Sequence, residues 1–165
     1  MTRTTRNGLI VAVLHVALTG SVGAKLLLDR VSRPRVWVRT APFDPDLPIR
    51  GRYVRLRIEA VPGASFDAPL SYDRPVELTV SGERLVAIPA DDSAVHARIS
   101  ARDDVRIAAI AEPLAFFLPE HVVDPSVREP GEELWVEVTV PRHGPPRPIR
   151  LGVRKDGRLA PLDLR

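Results

Sequence analysis

From Tyr53 to Ile58 the side chains alternate without a break: Val54, Leu56 and Ile58 are apolar, Tyr53, Arg55 and Arg57 are not. A period of two fits a strand with one buried face and cannot serve a helix, whose faces repeat every 3.6 residues. The pattern repeats in Val76–Val80; Arg84–Ile88 is read as its hairpin partner, and Val95–Ser100, Val105–Ala111 and Leu134–Val140 as further strands. Ser81-Gly82 and Lys155-Asp156-Gly157 are turn signals, the second between Ile149–Val153 and Leu159–Leu164. Seventeen prolines punctuate these runs. Consecutive prolines cannot donate to a ladder, so Arg142–Pro148 reads as a loop. Pro113 argues for a strand and then a loop across Arg106–His121, not a helix. The expected fold is mainly β, a small antiparallel barrel or sandwich preceded by one N-terminal transmembrane helix.

That helix is read from Leu9–Ala24, sixteen residues without a formal charge, extended past Lys25 by Leu26–Leu28. A span needs roughly 20 apolar residues, so this one requires Lys25 to snorkel from the helix end. Three structures fit the run. An anchor is preferred. A signal peptide cleaved near Val22-Gly23-Ala24 is the second reading. A buried core helix is the third, and the run gives it no wet face. The expected divisions are a cytoplasmic tail over 1–7, an anchor over 8–28, a juxtamembrane proline-rich arm and strand over 29–50, and an extracytoplasmic β-rich domain over 51–165. The arginines after the run leave the local charge count undecided. A long following domain translocates largely regardless of charge, which places it outside the cytoplasm. His15, inside the run, is a polar residue that the membrane tolerates or one that meets a membrane partner.

Charge narrows the partners. The first 28 residues carry Arg3, Arg6 and Lys25 and no acid; the rest holds 21 basic and 21 acidic residues. A duplex binder needs a surplus that neutralises several phosphates, so no nucleic-acid partner is expected. The ends are basic and the middle acidic. Either the end strands pair beside the middle ones and balance their charge, or a basic juxtamembrane face meets anionic lipid.

Catalytic chemistry finds little support. There is no cysteine, and His15, His96, His121 and His143 share no spacing that would make a metal pair. Asp91-Asp92 and Asp103-Asp104 are adjacent pairs, which strands point to opposite faces. No cofactor or metal is expected. An anchor followed by a β-domain is also the layout of signal-peptidase-like serine–lysine enzymes, but beyond the anchor the sole lysine is Lys155, in a turn. An envelope hydrolase would instead have to gather Asp44, Glu120 and His121 in one cleft.

Pro42-Phe43-Asp44-Pro45, followed by Gly51, Tyr53 and Leu56, resembles the signature of the GDYXXLXY proteins, a bacterial family named for its motif. In that family an N-terminal transmembrane helix precedes a Pro-x-Asp-Pro stretch and the motif strand. Here Arg52 stands at the motif aspartate and Ile58 at the final tyrosine. Phe116-Phe117-Leu118-Pro119-Glu120 is similar to the family's aromatic-aromatic-x-Pro-Glu segment, and the Leu151–Leu164 hairpin also fits. The resemblance implies a cell-membrane, periplasmic protein that accompanies a polytopic membrane partner. Its residues make Asp44, Pro45, Gly51, Arg52, Tyr53, Leu56, Pro119, Glu120 and His121 the motif candidates. Arginine cannot replace an aspartate that binds metal or accepts a proton, so Arg52 favours a role in shaping or docking. The expected function is non-enzymatic: a membrane-anchored extracytoplasmic β-domain that binds or supports an integral membrane protein. The alternatives are an envelope hydrolase and a cleaved, secreted binding module.

Overall fold

A computed structural model of the chain describes residues 3–43, 53–66, 73–102, 104–122, 125 and 128–164. The chain divides into two compact units, Met1–Arg33 and Pro34–Arg165.

The first unit is one helix, α1 (Arg3–Ser32). It passes through Lys25 without a break. Ser21 and Ser32 each turn their hydroxyl back to donate to a carbonyl of the preceding turn, Leu18 at 2.8 Å and Leu28 at 2.6 Å. The apolar segment Thr5–Leu28 is 24 residues long and none of it is buried. At ~1.5 Å per residue it reaches roughly 36 Å, enough to cross the ~30 Å hydrocarbon layer. Leu9, Val13, Leu14, Val16 and Leu18 are all more than half exposed. The core-helix reading is thereby set aside, because a core helix is mostly buried and this window is not. Pro34 follows closely and biases Arg33 away from helical geometry.

The second unit is all strand: β1 (Arg35–Phe43), β2 (Tyr53–Pro62), β3 (Asp73–Ser81), β4 (Arg84–Pro89), β5 (His96–Arg102), β6 (Val105–Ile110), β7 (Leu114–Phe117), β8 (Glu133–Thr139), β9 (Arg147–Lys155) and β10 (Arg158–Pro161). Neighbours run β10-β9-β8-β1-β2-β4-β3-β5-β6, and β6 returns to pair with β2. The strands β2, β4, β3, β5 and β6 therefore close a ring. All pairings are antiparallel except β2–β4, which is parallel at Val61↔Val86 and Pro62↔Ala87.

β2 is the organising strand. Its first half lies between β1 and β7, its last residues between β4 and β6. Val54, Leu56, Ile58 and Ala60 point into one core with Val36 and Val38 of β1, Ile99 of β5, Ile110 of β6, Val136 and Val138 of β8 and Leu151 of β9. The alternation of the sequence is thus the inward and outward alternation of the sheet.

Turns follow their residues. Ser81 pairs with Arg84 across Gly82-Glu83, with Gly82 at φ 60°, the position where a type II′ hairpin needs glycine. Lys155 pairs with Arg158 across Asp156 (φ 49°) and Gly157 (φ 78°), a type I′ turn.

Three boundaries differ from the sequence reading. The loop read over Arg142–Pro148 gives way to β9 at Arg147, and Pro148 is admitted opposite Val138 beside a bulge between Glu137 and Val138. A bulge leaves a ladder position open, which proline requires. The loop expected after Pro113 contains β7. It resumes pairing on β2 after β6 leaves off, and the excess residues are taken up around Pro113. The last strand ends at Pro161, not Leu164; Leu162 still donates its N–H to the Leu151 carbonyl at 2.9 Å, and both leucines pack on the core.

Candidate functional site

Strands β1, β8 and β9 lie side by side, so their outward residues form a grid. β1 contributes Arg35, Trp37 and Arg39; β8 contributes Glu133, Trp135 and Glu137; β9 contributes Arg150, Gly152 and Arg154. The register sets Trp37 opposite Glu137, Arg39 opposite Trp135, Glu137 opposite Arg150 and Glu133 opposite Arg154. Basic end strands thus flank an acidic middle strand, as charge balance across a sheet requires.

Each of the chain's two tryptophans lies beneath an arginine. The Arg150 guanidinium is 5.3 Å from the Trp37 ring centre, and that of Arg154 is 5.0 Å from Trp135. Both distances are in the cation–π range. Arg150 Nε also donates to Glu137 Oε2 at 2.6 Å. Glu133 holds two neighbours: its Oε2 accepts from Trp135 Nε1 at 3.0 Å, and its Oε1 lies 2.9 Å from Arg39 Nη2.

Trp37 needs Gly152. A Cβ there would sit 2.8 Å from the Trp37 ring and 3.0 Å from the Ala160 carbonyl oxygen. Gly152→Ala is expected to cost about 1–3 kcal/mol through overpacking. Urea unfolding of the full chain in detergent checks this, and an unchanged midpoint would show that the ring can move aside.

Two concavities border this face. One, of about 330 Å³, is lined by Trp37, Arg39, Glu59, Arg102, Trp135 and the aliphatic Val61, Val105 and Ile107 among others. The second, of about 520 Å³, is lined by Arg35, Trp37, Arg84, Trp135, Arg154 and the turn residues Gly82 and Gly157 among others. They share Trp37, Glu83, Arg84 and Trp135. Neither lining includes a serine, threonine, histidine, lysine or tyrosine. The arrangement offers charge, aromatic edges and aliphatic walls, which are means of binding.

Glu59 sits in the smaller concavity, its side chain 8% exposed and paired with Arg102. Burial raises its pKa above the ordinary value near 4.5, while Arg102 and Arg39 pull the other way. A carboxyl with a raised folded-state pKa contributes stability that is fully present below the unfolded value and lost as pH rises through the folded one. Glu59→Gln is therefore expected to gain on the native protein between pH 4 and pH 7. Denaturant midpoints of both proteins at the two pH values check it; a gap that is the same at both contradicts it.

The structure disperses the sequence candidates it describes. Leu56 is fully buried in the core. Tyr53 is half-buried at the start of β2, its ring 6.1 Å from that of Phe117 at a tilt of 52°. Pro119, Glu120 and His121 are exposed in a turn closed by Val122 N–H donating to the Pro119 carbonyl at 3.2 Å. None of these residues lines either concavity. Asp44, Pro45, Gly51 and Arg52 lie outside the described residues. Among the described residues no group of three or more metal-ligating side chains forms a cluster. Lys155 is held between Glu129 and Glu132, each at 3.2 Å, and these bonds raise its pKa. A serine–lysine dyad needs the opposite shift.

No protein-family model, curated protein or solved structure matches the chain. The site thus stands on its geometry alone. Its tryptophans were not among the sequence candidates. The alternation of Arg35-Val36-Trp37-Val38-Arg39 and of Glu133–Glu137 already put them on outward faces; that those faces are neighbours is a fact of register.

Proposed function

We propose that the chain is a membrane-anchored binding module, whose β-unit stands outside the cytoplasm and supports an integral membrane partner. The observation that carries this reading is the helix Thr5–Leu28, long and apolar enough to cross a membrane and with none of its apolar window buried. Lipid is the surface that such a helix matches. One side of it is small or polar: Gly8, Ala12, His15, Thr19 and Gly23 follow at helical spacing, and neither Gly8, Gly20 nor Gly23 has anything within 4 Å of where a Cβ would lie. In membranes, small residues let helices approach closely and polar ones bond across the contact. The resemblance to the GDYXXLXY family supports the same reading and would set it in a bacterial envelope, with the β-unit in the periplasm.

The geometry favours binding over hydrolysis. Glu120 and His121 are exposed on a turn, and Lys155 is solvated and held charged.

The experiment is purification of the tagged full chain from its own membranes. A polytopic membrane protein should accompany it in fixed ratio and be lost when His15 and Thr19 are replaced by leucine. A chain that purifies alone, or whose companion is indifferent to those replacements, overturns the partner.

A further inference from the structure

Five arginines of the tryptophan face fall into two sets. Arg39, Arg102 and Arg150 each have a glutamate: Glu133, Glu59 and Glu137. Arg84 and Arg154 have no ion pair with any described residue, although Arg154 rests on Trp135. Both line the wider concavity together with Arg35, and the one acid in that lining is Glu83. Arg84 and Arg154 alone outnumber that acid, so a positive excess remains in one place, and that place is concave. Two tryptophans wall it.

We infer that this concavity binds a phosphate-bearing anion between Arg84 and Arg154. Guanidinium forks match phosphate oxygens in pairs and hold them better than a point charge does. Arg154 is already oriented by Trp135, so little side-chain freedom remains to be lost on binding. Arg84 opens β4 just after the β3–β4 turn, and Arg154 lies on β9 just before the β9–β10 turn. A ligand bridging them joins two hairpins that no strand pairing connects directly. Through Trp37 and Trp135 the site adjoins the smaller concavity, where Val61, Ile107 and the 62% exposed Val105 give an attached apolar group a wall to lie against.

Two sources carry this chemistry, a lipid headgroup and a soluble phosphate compound. The lipid source rests on the anchored reading above. The soluble source does not depend on that reading.

Both tryptophans of the chain line the site, so its occupancy is read by intrinsic fluorescence. The full chain in neutral detergent is titrated with dihexanoyl phosphatidylglycerol, with dihexanoyl phosphatidylcholine and with inorganic phosphate. A saturable change with phosphatidylglycerol, absent with the zwitterionic lipid, is expected. Arg84→Glu should weaken it about tenfold or more. Arg84→Gln should weaken it less, and Arg142→Glu, an exposed position that lines neither concavity, should leave it unchanged. Raising salt should weaken binding as well. Saturation by inorganic phosphate at similar concentrations assigns the site to soluble phosphate compounds, and saturation by phosphatidylglycerol alone assigns it to lipid. The proposal is overturned if neither produces a saturable change, if phosphatidylcholine binds as well as phosphatidylglycerol, or if both Arg84 variants bind like the native chain.

Discussion

With Leu14 and Leu18 both replaced by arginine, the protein is expected to leave the membrane fraction. Both positions lie inside Thr5–Leu28 and are about 60% exposed, so the substitutions disturb no packed core. Each arginine near the middle of a span costs about 2.5–3.5 kcal/mol on the insertion scale, and each leucine removed forfeits roughly another 0.5. The sum, about 6–8 kcal/mol, exceeds what a span interrupted by Lys25 has to spare. Fractionation with an alkaline carbonate wash reads the result. The native chain should stay in the pellet and the double variant should not. A native chain that is itself washed off would favour the signal-peptide reading, in which the helix is removed from the mature protein.

Leu56→Ala is expected to destabilise the β-unit by about 2–5 kcal/mol. Leu56 has no exposed surface and stands where β2 is flanked on both edges, opposite Pro42 on β1 and Leu114 on β7. Three segments distant in sequence meet over this side chain, and a truncated one leaves a void that strands held by pairing on both sides cannot close. The melting temperature should fall by roughly 6–20 °C. Phe117→Ala makes the contrast. It deletes a larger side chain, but one that is 75% exposed and meets Tyr53 at the surface. Its cost should stay near 1 kcal/mol or below. Unfolding of both variants, followed by tryptophan fluorescence, checks the ratio; equal losses would mean that the core is not centred on β2. In the proposed family assignment Leu56 is a motif position, and its burial gives that position a packing role.

Much of the fold was legible because burial on a strand is a local pattern. Val54, Leu56 and Ile58 announced their inward face, and Gly82 and Gly157 marked hairpins that form where expected. What the sequence did not show is set by partners far along the chain. Nothing near Tyr53–Pro62 tells that one edge of this strand meets β1 and then β4, while the other meets β7 and then β6. The parallel β2–β4 contact closes the ring, and it depends on a register between segments separated by the whole of β3. Pro113 interrupts the local pattern and so reads as the start of a loop, whereas β2 offers an edge that lets pairing resume beyond it in β7. The candidate site was hidden for the same reason. Trp37, Trp135 and Arg154 are unremarkable on their own strands and become a wall only when β1, β8 and β9 are laid side by side. The motif residues are the visible candidates, and those the structure describes build the core, as Leu56 does, open a strand half-buried, as Tyr53 does, or lie on a surface turn, as Glu120 and His121 do.

The proposed function depends on an anchored, outward-facing β-unit. A topology reporter fused after Arg165, one that is active only outside the cytoplasm, tests it most directly in intact cells. The expected result is an active reporter that remains in the membrane pellet on a fusion of full length. An inactive reporter, with the same fusion readily detected inside the cytoplasm, would contradict it.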